Sequence, residues 1–130
     1  MISVLKDLGL ALKVHKSILT PTQGIHHLGL WVDSSKGRFH VPGAKVSAIQ
    51  QYAHHLRALA AHQARWIRPK LLARFLGQVQ SLALAVQPAR FFQRNLHAVL
   101  ATKLNWSRPV KLTRPALQEI RFWEWLPNRF

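Results

Sequence analysis

The chain has 130 residues, with 19 lysines and arginines against 4 aspartates and glutamates, and its formal net charge at pH 7 is +15. It contains no cysteine, which excludes disulfides and thiolate zinc sites. The length fits one domain or two very small ones, and no apolar run is long enough to span a membrane. Hydrophobic residues make up 48% of the chain, so the composition is not that of a disordered protein.

The N-terminal third of the sequence predicts a small α+β element. Apolar residues at helical spacing indicate a helix over residues 2–12, and residues 13–18 are expected to form a short strand. Residues 25–32 and 38–41 flank turn residues, a pattern that predicts a β-hairpin with its tip near Ser35. The basic, amphipathic start would also suit an organelle transit peptide, but we favour an ordinary domain element.

The rest of the sequence changes to the period of a helix. Apolar stripes predict helices over residues 44–65, 69–86 and 88–100, the second and third each starting at a proline. Thr113 has the position of an N-cap and Pro115 that of a first-turn proline, so a fourth helix is expected after them.

These elements predict an α+β fold class, with a short N-terminal helix and β-hairpin followed by a mainly α-helical bundle. The chain divides into residues 1–42, which hold the helix and hairpin, and residues 43–104, which hold the bundle. Residues 105–130 form a basic linker and a C-terminal helix.

Carboxylates are too few and too scattered to predict an active site. Asp7 and Asp33 fall on different elements, and Glu119 and Glu124 are five apart on one helix, where they share a face poorly. Two-metal phosphoryl transfer needs clustered carboxylates, and a zinc site built from the eight histidines would lack a third ligand. We therefore predict no catalytic residue, no metal and no cofactor, and a chain that is not an enzyme.

Basic residues form the stronger constellation. Lys70 and Arg74 are four apart on one predicted helix, and Arg90 and Arg94 are four apart on the next. Like charges at this spacing disfavour an isolated helix, but phosphates lying against them would remove the repulsion. The residues predicted to bind RNA are Lys13, Lys16, Lys36, Arg38, Lys45, Arg57, Arg65, Arg68, Lys70, Arg74, Arg90, Arg94, Lys103, Arg108, Lys111 and Arg114.

Tryptophans suggest two further kinds of contact. Trp66 and Trp106 stand beside basic residues at helix ends, where they could stack on unpaired bases. Trp123 and Trp125 belong to an aromatic cluster too wide for one helix face, so part of it is expected to contact a neighbouring protein.

The order of several short motifs carries a resemblance to a known family. In chain order the motifs are Leu8-Gly9-Leu10, Lys16-Ser17, Pro21-Thr22-Gln23, His27-Leu28-Gly29-Leu30 and Asp33-Ser34. This order resembles retroelement reverse transcriptases of the DIRS type, over the stretch that follows the catalytic aspartates of the palm. The resemblance makes Lys16 the lysine of the fourth palm motif and Leu28-Gly29 the primer-grip hairpin.

The resemblance continues through nearly the whole chain. Residues 42–45 resemble the start of the thumb, residues 74–77 and 80–86 its second helix, and residues 88–94 and 117–123 the connection toward ribonuclease H. It thus implies a palm remnant, a thumb-like bundle and a connection-like helix. The catalytic aspartates would precede Met1 and are missing from this sequence, and a polymerase cannot work without metal-binding carboxylates.

Charge and resemblance together predict a non-catalytic, strongly basic RNA-binding protein derived from a retrotransposon reverse transcriptase. It would be a structural component of a large ribonucleoprotein, the expected host being a mitochondrial ribosome, with rRNA bound through its phosphate backbone. Two alternatives stay open. The chain could be the thumb and connection fragment of a split or processed reverse transcriptase whose partner chain carries the active site. It could instead be a protein-interaction module that uses its C-terminal tryptophans, in which case removing the residues after Leu112 should leave RNA binding intact.

Overall fold

Helix is the main secondary structure of this protein, whose computed structural model describes residues 2–126. Helix accounts for 54% and strand for 12% of the structure. A short N-terminal helix and a small antiparallel sheet precede the helical part. The predicted α+β class is confirmed.

The N-terminal segment lies on the outside of the fold. Helix α1 covers Ile2–Asp7, and a single 3-10 turn covers Val14–Lys16. No residue from 2 to 23 is buried. The predicted helix is shorter than expected because Gly9 takes a φ of 78°, which ends it. The strand predicted over residues 13–18 is wrong, since this stretch has no neighbouring strand to pair with.

Three short strands follow and form an antiparallel meander. Strand β1 covers Gly24–His27, β2 covers Leu30–Asp33 and β3 covers Arg38–His40, in the order β1-β2-β3. The hairpin predicted around Ser35 is confirmed, because β2 and β3 pair on either side of that turn.

One expected strand is in fact two. Residues 25–32 do not run straight, because Leu28 and Gly29 have φ values of 51° and 81° and reverse the chain between His27 and Leu30. Positive φ at both central residues is the geometry of a type I′ hairpin turn. Lys45 donates a hydrogen bond of 3.4 Å from Nζ to the carbonyl of Gly29, which ties the turn to the following helix.

The helical part contains four α-helices and one longer 3-10 segment within the described residues. Helix α2 covers Gly43–His62 and α3 covers Pro69–Gln80. A 3-10 helix over Gln87–Gln93 leads into α4, Arg94–Ala101. Helix α5 covers Arg114–Glu124 and packs mainly against α2.

Two helix boundaries differ from the prediction. Helix α3 ends at Gln80 rather than at residue 86, although Leu82 and Val86 beyond it are still buried in turns. The third predicted helix begins as the 3-10 segment, and Phe92, with φ −85° and ψ 25°, breaks the helical geometry before α4. A stripe of apolar residues indicates burial and does not by itself mark where a helix ends. The predicted helices therefore run on through turns whose apolar residues are also buried.

The core lies among α2, α3, α4 and α5. Leu56, Phe75, Ile120 and Trp123 are fully buried there. The Trp123 indole donates from Nε1 to the Phe92 carbonyl at 2.8 Å. The part of the aromatic cluster that is predicted to contact a neighbouring protein therefore cannot be Trp123, because its apolar ring and its only donor are both used inside the fold. A truncation after Leu112 would remove part of this core.

A two-stranded ribbon connects distant parts of the chain. Strand β4, Trp66–Ile67, pairs antiparallel with β5, Val110–Lys111. Ile67 and Val110 face each other and are buried. Trp66 and Lys111 face each other on the opposite, exposed side. The sequence had placed residues 105–111 in a linker, and strand β5 replaces its end.

Candidate nucleic-acid interface

Asp33 has a structural role at the β2–β3 turn. Its Oδ1 accepts hydrogen bonds from the backbone N–H of Ser35 at 3.0 Å and of Lys36 at 3.2 Å. The Ser35 hydroxyl donates to the same oxygen and is the main cause of a pKa for Asp33 below its ordinary value. This carboxylate closes a turn in the way that aspartates at turns commonly do.

Glu119 has a structural role inside the bundle. It lies on α5, is buried, and points at the first turn of α4. Its carboxylate accepts from the backbone N–H of Asn95 and of Leu96, both at 2.9 Å, and from the Asn95 side-chain amide at 2.8 Å. These N–H groups have no partner within their own helix, so Glu119 acts as an N-cap supplied by another helix.

Glu124 is engaged by basic side chains of α2. Arg57 donates from Nη2 to Oε1 at 2.8 Å and its Nε lies 2.6 Å from Oε2, while His54 Nδ1 lies 2.8 Å from Oε1. The hydrogen bond from Arg57 is the first cause of a lowered pKa for Glu124. Burial acts in the opposite direction, and His54 adds to the lowering.

Nearly all of the positive charge is thus left without an internal counter-charge. Among residues 2–126, Arg57 is the one lysine or arginine that forms a salt bridge with a carboxylate. Three of the four carboxylates in the sequence, Asp33, Glu119 and Glu124, are held in the contacts above. The other lysines and arginines among residues 2–126 form no salt bridge with a carboxylate, and most of them are exposed.

The predicted RNA-binding residues all lie at or near the surface. Lys45, Arg57, Arg65 and Lys103 are half-buried. The exposed ones are Lys13, Lys16, Lys36, Arg38, Arg68, Lys70, Arg74, Arg90, Arg94, Arg108, Lys111 and Arg114. None is in the core, so the structure leaves each of them able to meet solvent or a ligand.

Some of these residues already have partners. Partial burial lowers the pKa of Lys45, whose ammonium contacts the Gly29 carbonyl. The guanidinium of Arg74 lies 6.0 Å from the centre of the Tyr52 ring, and burial raises the pKa of Tyr52. These side chains help to hold the fold, which makes them less free to follow a ligand.

A cleft lies beside the β4–β5 ribbon. It has a volume of about 670 Å³ and joins apolar with basic side chains. Trp66, 44% exposed, lies on one side of it, and Leu104 and Pro109 contribute further apolar surface. Arg108 and Lys111 supply positive charge in the same cleft. The packing thus brings Trp66, Arg108 and Lys111 together from segments more than forty residues apart.

Backbone geometry fixes both sides of the cleft. Before Trp66, Ala64 and Arg65 have φ values of 50° and 70°, a region that costs a non-glycine residue about 1–2 kcal/mol. The Arg65 carbonyl accepts from the Leu112 N–H at 2.7 Å, which extends the ribbon. Asn105 Oδ1 accepts from the N–H of Ser107 and of Arg108 and shapes the opposite loop.

The second tryptophan predicted to stack lies on that loop. Trp106 is 48% exposed, and the ammonium of Lys103 lies 4.6 Å from the centre of its ring. A cation at this distance is attracted by the ring face. Trp106 does not line the large cleft. The two tryptophans therefore have different surroundings, and of the two it is Trp66 that lines this cleft.

A smaller pocket brings three arginines together. Arg57, Arg65 and Arg121 line a pocket of about 180 Å³ between α2 and α5. Sequence reasoning did not include Arg121 among the binding residues. No local signal pairs it with Arg57, because only the packing of α5 on α2 makes them neighbours.

The chain matches no protein-family model, no curated protein and no solved structure. Within residues 2–126, no three His, Asp or Glu side chains come together as a metal site would require. No described helix combines the length and apolar character that crossing a membrane requires.

Proposed function

We propose that this protein is a non-catalytic RNA-binding component of a large ribonucleoprotein. One observation carries the proposal: the positive charge is exposed, while the described carboxylates other than Asp7 are held in turn, cap and salt-bridge contacts. A surface of this kind repels itself and gains most from a partner that supplies phosphates. The same use of carboxylates supports a role without catalysis, since few remain to hold a metal or move a proton.

Binding would run mainly through the phosphate backbone. The exposed lysines and arginines come from α3, α4, the hairpin and the loops rather than from one helix that could enter a groove. Contacts spread in this way fix a protein on RNA but read little sequence. The expected partner is a folded RNA with several backbone segments near one another, as rRNA has.

The favoured host is a mitochondrial ribosome, with descent from a retroelement reverse transcriptase. The resemblance in motif order supports this descent, and a hairpin followed by a helical bundle agrees with the element order that it implies. A small, very basic protein is typical of ribosomal components.

The direct test of the proposed function is to identify the bound RNA. The native complex is purified after ultraviolet crosslinking, and the RNA attached to the chain is sequenced. The proposal expects one structural RNA, an rRNA in the favoured case, at a small number of positions. Crosslinks scattered over unrelated transcripts, or no crosslinked RNA, would contradict it.

A second function has an observation in its favour. Ile2, Val4, Leu8 and Ile18 on the N-terminal segment are exposed apolar side chains, which would pack well against another polypeptide. This suits a fragment of a split reverse transcriptase whose partner chain carries the catalytic aspartates. Co-purification of such a chain, encoded upstream with palm motifs, would favour the split enzyme over the ribosomal component.

A further inference from the structure

We propose that the cleft beside the β4–β5 ribbon binds the base of an unpaired nucleotide, with Trp66 as the stacking surface. The inference rests on the proposed function, because it takes RNA as the ligand, and it adds a specific site and a base-dependent contact. Contacts between basic side chains and RNA phosphates alone would not favour unpaired over paired RNA.

Trp66 is exposed on the β4–β5 ribbon. The ribbon has one buried face, formed by Ile67 and Val110, and one exposed face, formed by Trp66 and Lys111. Trp66 is thus held by backbone pairing while 44% of it stays accessible. The backbone that carries the ring is fixed, and a tryptophan side chain has only two torsions to lose when a base stacks on it.

Positively charged side chains line the same cleft as the Trp66 ring. Arg108 and Lys111 line the same cleft, and the cleft surface between them is mainly apolar, with Leu104 and Pro109. A ring with nearby cations matches a nucleotide within an RNA strand, whose base is flat with apolar faces and whose ribose carries a phosphate on each side. A purely apolar ligand would leave these cations unused, so the charges favour a nucleotide.

The backbone immediately before Trp66 is strained. Ala64 and Arg65 both have positive φ values immediately before Trp66. Consecutive non-glycine residues in this region are uncommon and concentrate at functional sites. The strain redirects the chain from α2 into the ribbon and so sets the position of Trp66.

Trp106 does not compete for the same role. Its ring is already contacted by the Lys103 ammonium at 4.6 Å and lies outside the lining of the cleft. Trp125, 79% exposed at the C-cap of α5, does not line this cleft and lines a separate pocket beside Glu124. Trp125 therefore provides a matched control for the loss of an exposed tryptophan.

The test compares two ligands of equal charge. One is an oligouridylate of about 12 nucleotides, and the other is an abasic ribose-phosphate chain of the same length. Affinities of the full-length protein and of Trp66→Leu and Trp125→Leu are measured by fluorescence anisotropy at one salt concentration. Circular dichroism and thermal unfolding show whether each variant is folded.

The wild-type protein is expected to bind the base-bearing oligomer about 5- to 150-fold more tightly than the abasic one. Trp66→Leu should remove most of this preference and leave the affinity for the abasic chain within about twofold, since no charge is lost. Trp125→Leu should keep the preference. Equal affinity of the wild type for both oligomers, or a preference unchanged in Trp66→Leu, would overturn the inference.

A measurement on the wild type covers the case in which Trp66→Leu fails to fold. Ultraviolet crosslinking to oligouridylate, followed by mass spectrometry, should place a crosslink at Trp66 or at a residue of the cleft. Crosslinks found only at distant sites would overturn the inference. If both oligomers bind with equal affinity, binding to the phosphate backbone is supported and the stacking site is contradicted. If neither oligomer binds, the inference fails, and binding of the same protein to a structured RNA then decides the proposed function separately.

Discussion

Glu119 shows at the scale of one residue how this chain uses a rare carboxylate. It lies on α5 and is buried against the first turn of α4. There it accepts three hydrogen bonds, two of them from backbone N–H groups. Aligned peptide dipoles make a helix N-terminus attractive to a negative charge. The carboxylate is therefore kept for folding although the protein as a whole is strongly basic.

Glu119→Ala should lower the free energy of unfolding by about 2–3 kcal/mol, because buried donors lose their acceptor. Glu119→Gln should cost about 1 kcal/mol, since an amide oxygen can still accept but carries no charge. Urea unfolding followed by circular dichroism measures both. Gln118→Ala, an exposed neighbour on α5, is the control and should change stability by less than about 0.5 kcal/mol. Equal effects of Glu119→Ala and Gln118→Ala would contradict the capping role.

The contact between Glu124 and Arg57 predicts a dependence of stability on pH. The pKa of Glu124 in the folded protein is below its ordinary value of 4.5. A lowered folded-state pKa contributes stability above the unfolded-state pKa, and that stability is lost as the pH falls through the folded-state pKa.

Glu124→Gln should therefore be less stable than the wild type at pH 7, by about 0.5–1 kcal/mol for this partly exposed pair. The difference should narrow as the pH falls below 4.5. Urea midpoints of both proteins, measured from neutral to acid pH, check this. A difference that stays constant into acid would show that the charge of Glu124 is not what stabilises the fold.

At the scale of elements, long periodic segments were predictable and short non-local ones were not. The stripe of α2 and the Thr113 cap of α5 follow from local sequence, and Ala116 N–H indeed donates to Thr113 Oγ1 at 3.3 Å. The β4–β5 ribbon could not be predicted, because two-residue strands have no period and their partners are far apart in the chain. The cleft was missed for the same reason, although Trp66 had been singled out.

The tryptophans show the same limit of prediction from local sequence. Flanking basic residues suggest that Trp66 stacks on bases, and its exposure is compatible with that prediction. Trp123 and Trp125 stand two apart in one aromatic cluster, yet the first is fully buried and the second is 79% exposed. Which of the two is turned into the core is set by the tertiary packing of α5, and the local sequence does not specify that packing.

The N-terminal segment should be dispensable for folding. Removing residues 1–20 deletes no buried side chain among those described, so the free energy of unfolding should change by less than about 0.5 kcal/mol. Thermal unfolding of the shortened chain measures this. Removing residues 113–130 is the contrasting deletion and should unfold the protein, since loss of Ile120 and Trp123 alone exceeds about 6 kcal/mol. A large loss of stability in the first deletion would mean that the segment contributes to the core.

At the scale of the whole molecule, the net positive charge is the property that favours RNA as the partner. A formal charge of +15 on 130 residues destabilises the compact state through self-repulsion. Arg57 is the one lysine or arginine among residues 2–126 in a salt bridge with a carboxylate, so the fold relieves little of this repulsion internally. RNA would relieve it through phosphate contacts and the release of counterions.

The central claim is tested by the salt dependence of RNA binding. The dissociation constant of the full-length protein for a structured RNA is measured from low to high potassium chloride concentration. Contacts to about five or more phosphates predict a slope of log affinity against log salt concentration steeper than about −3. Absence of binding to any RNA, or an affinity that does not change with salt, would contradict the account.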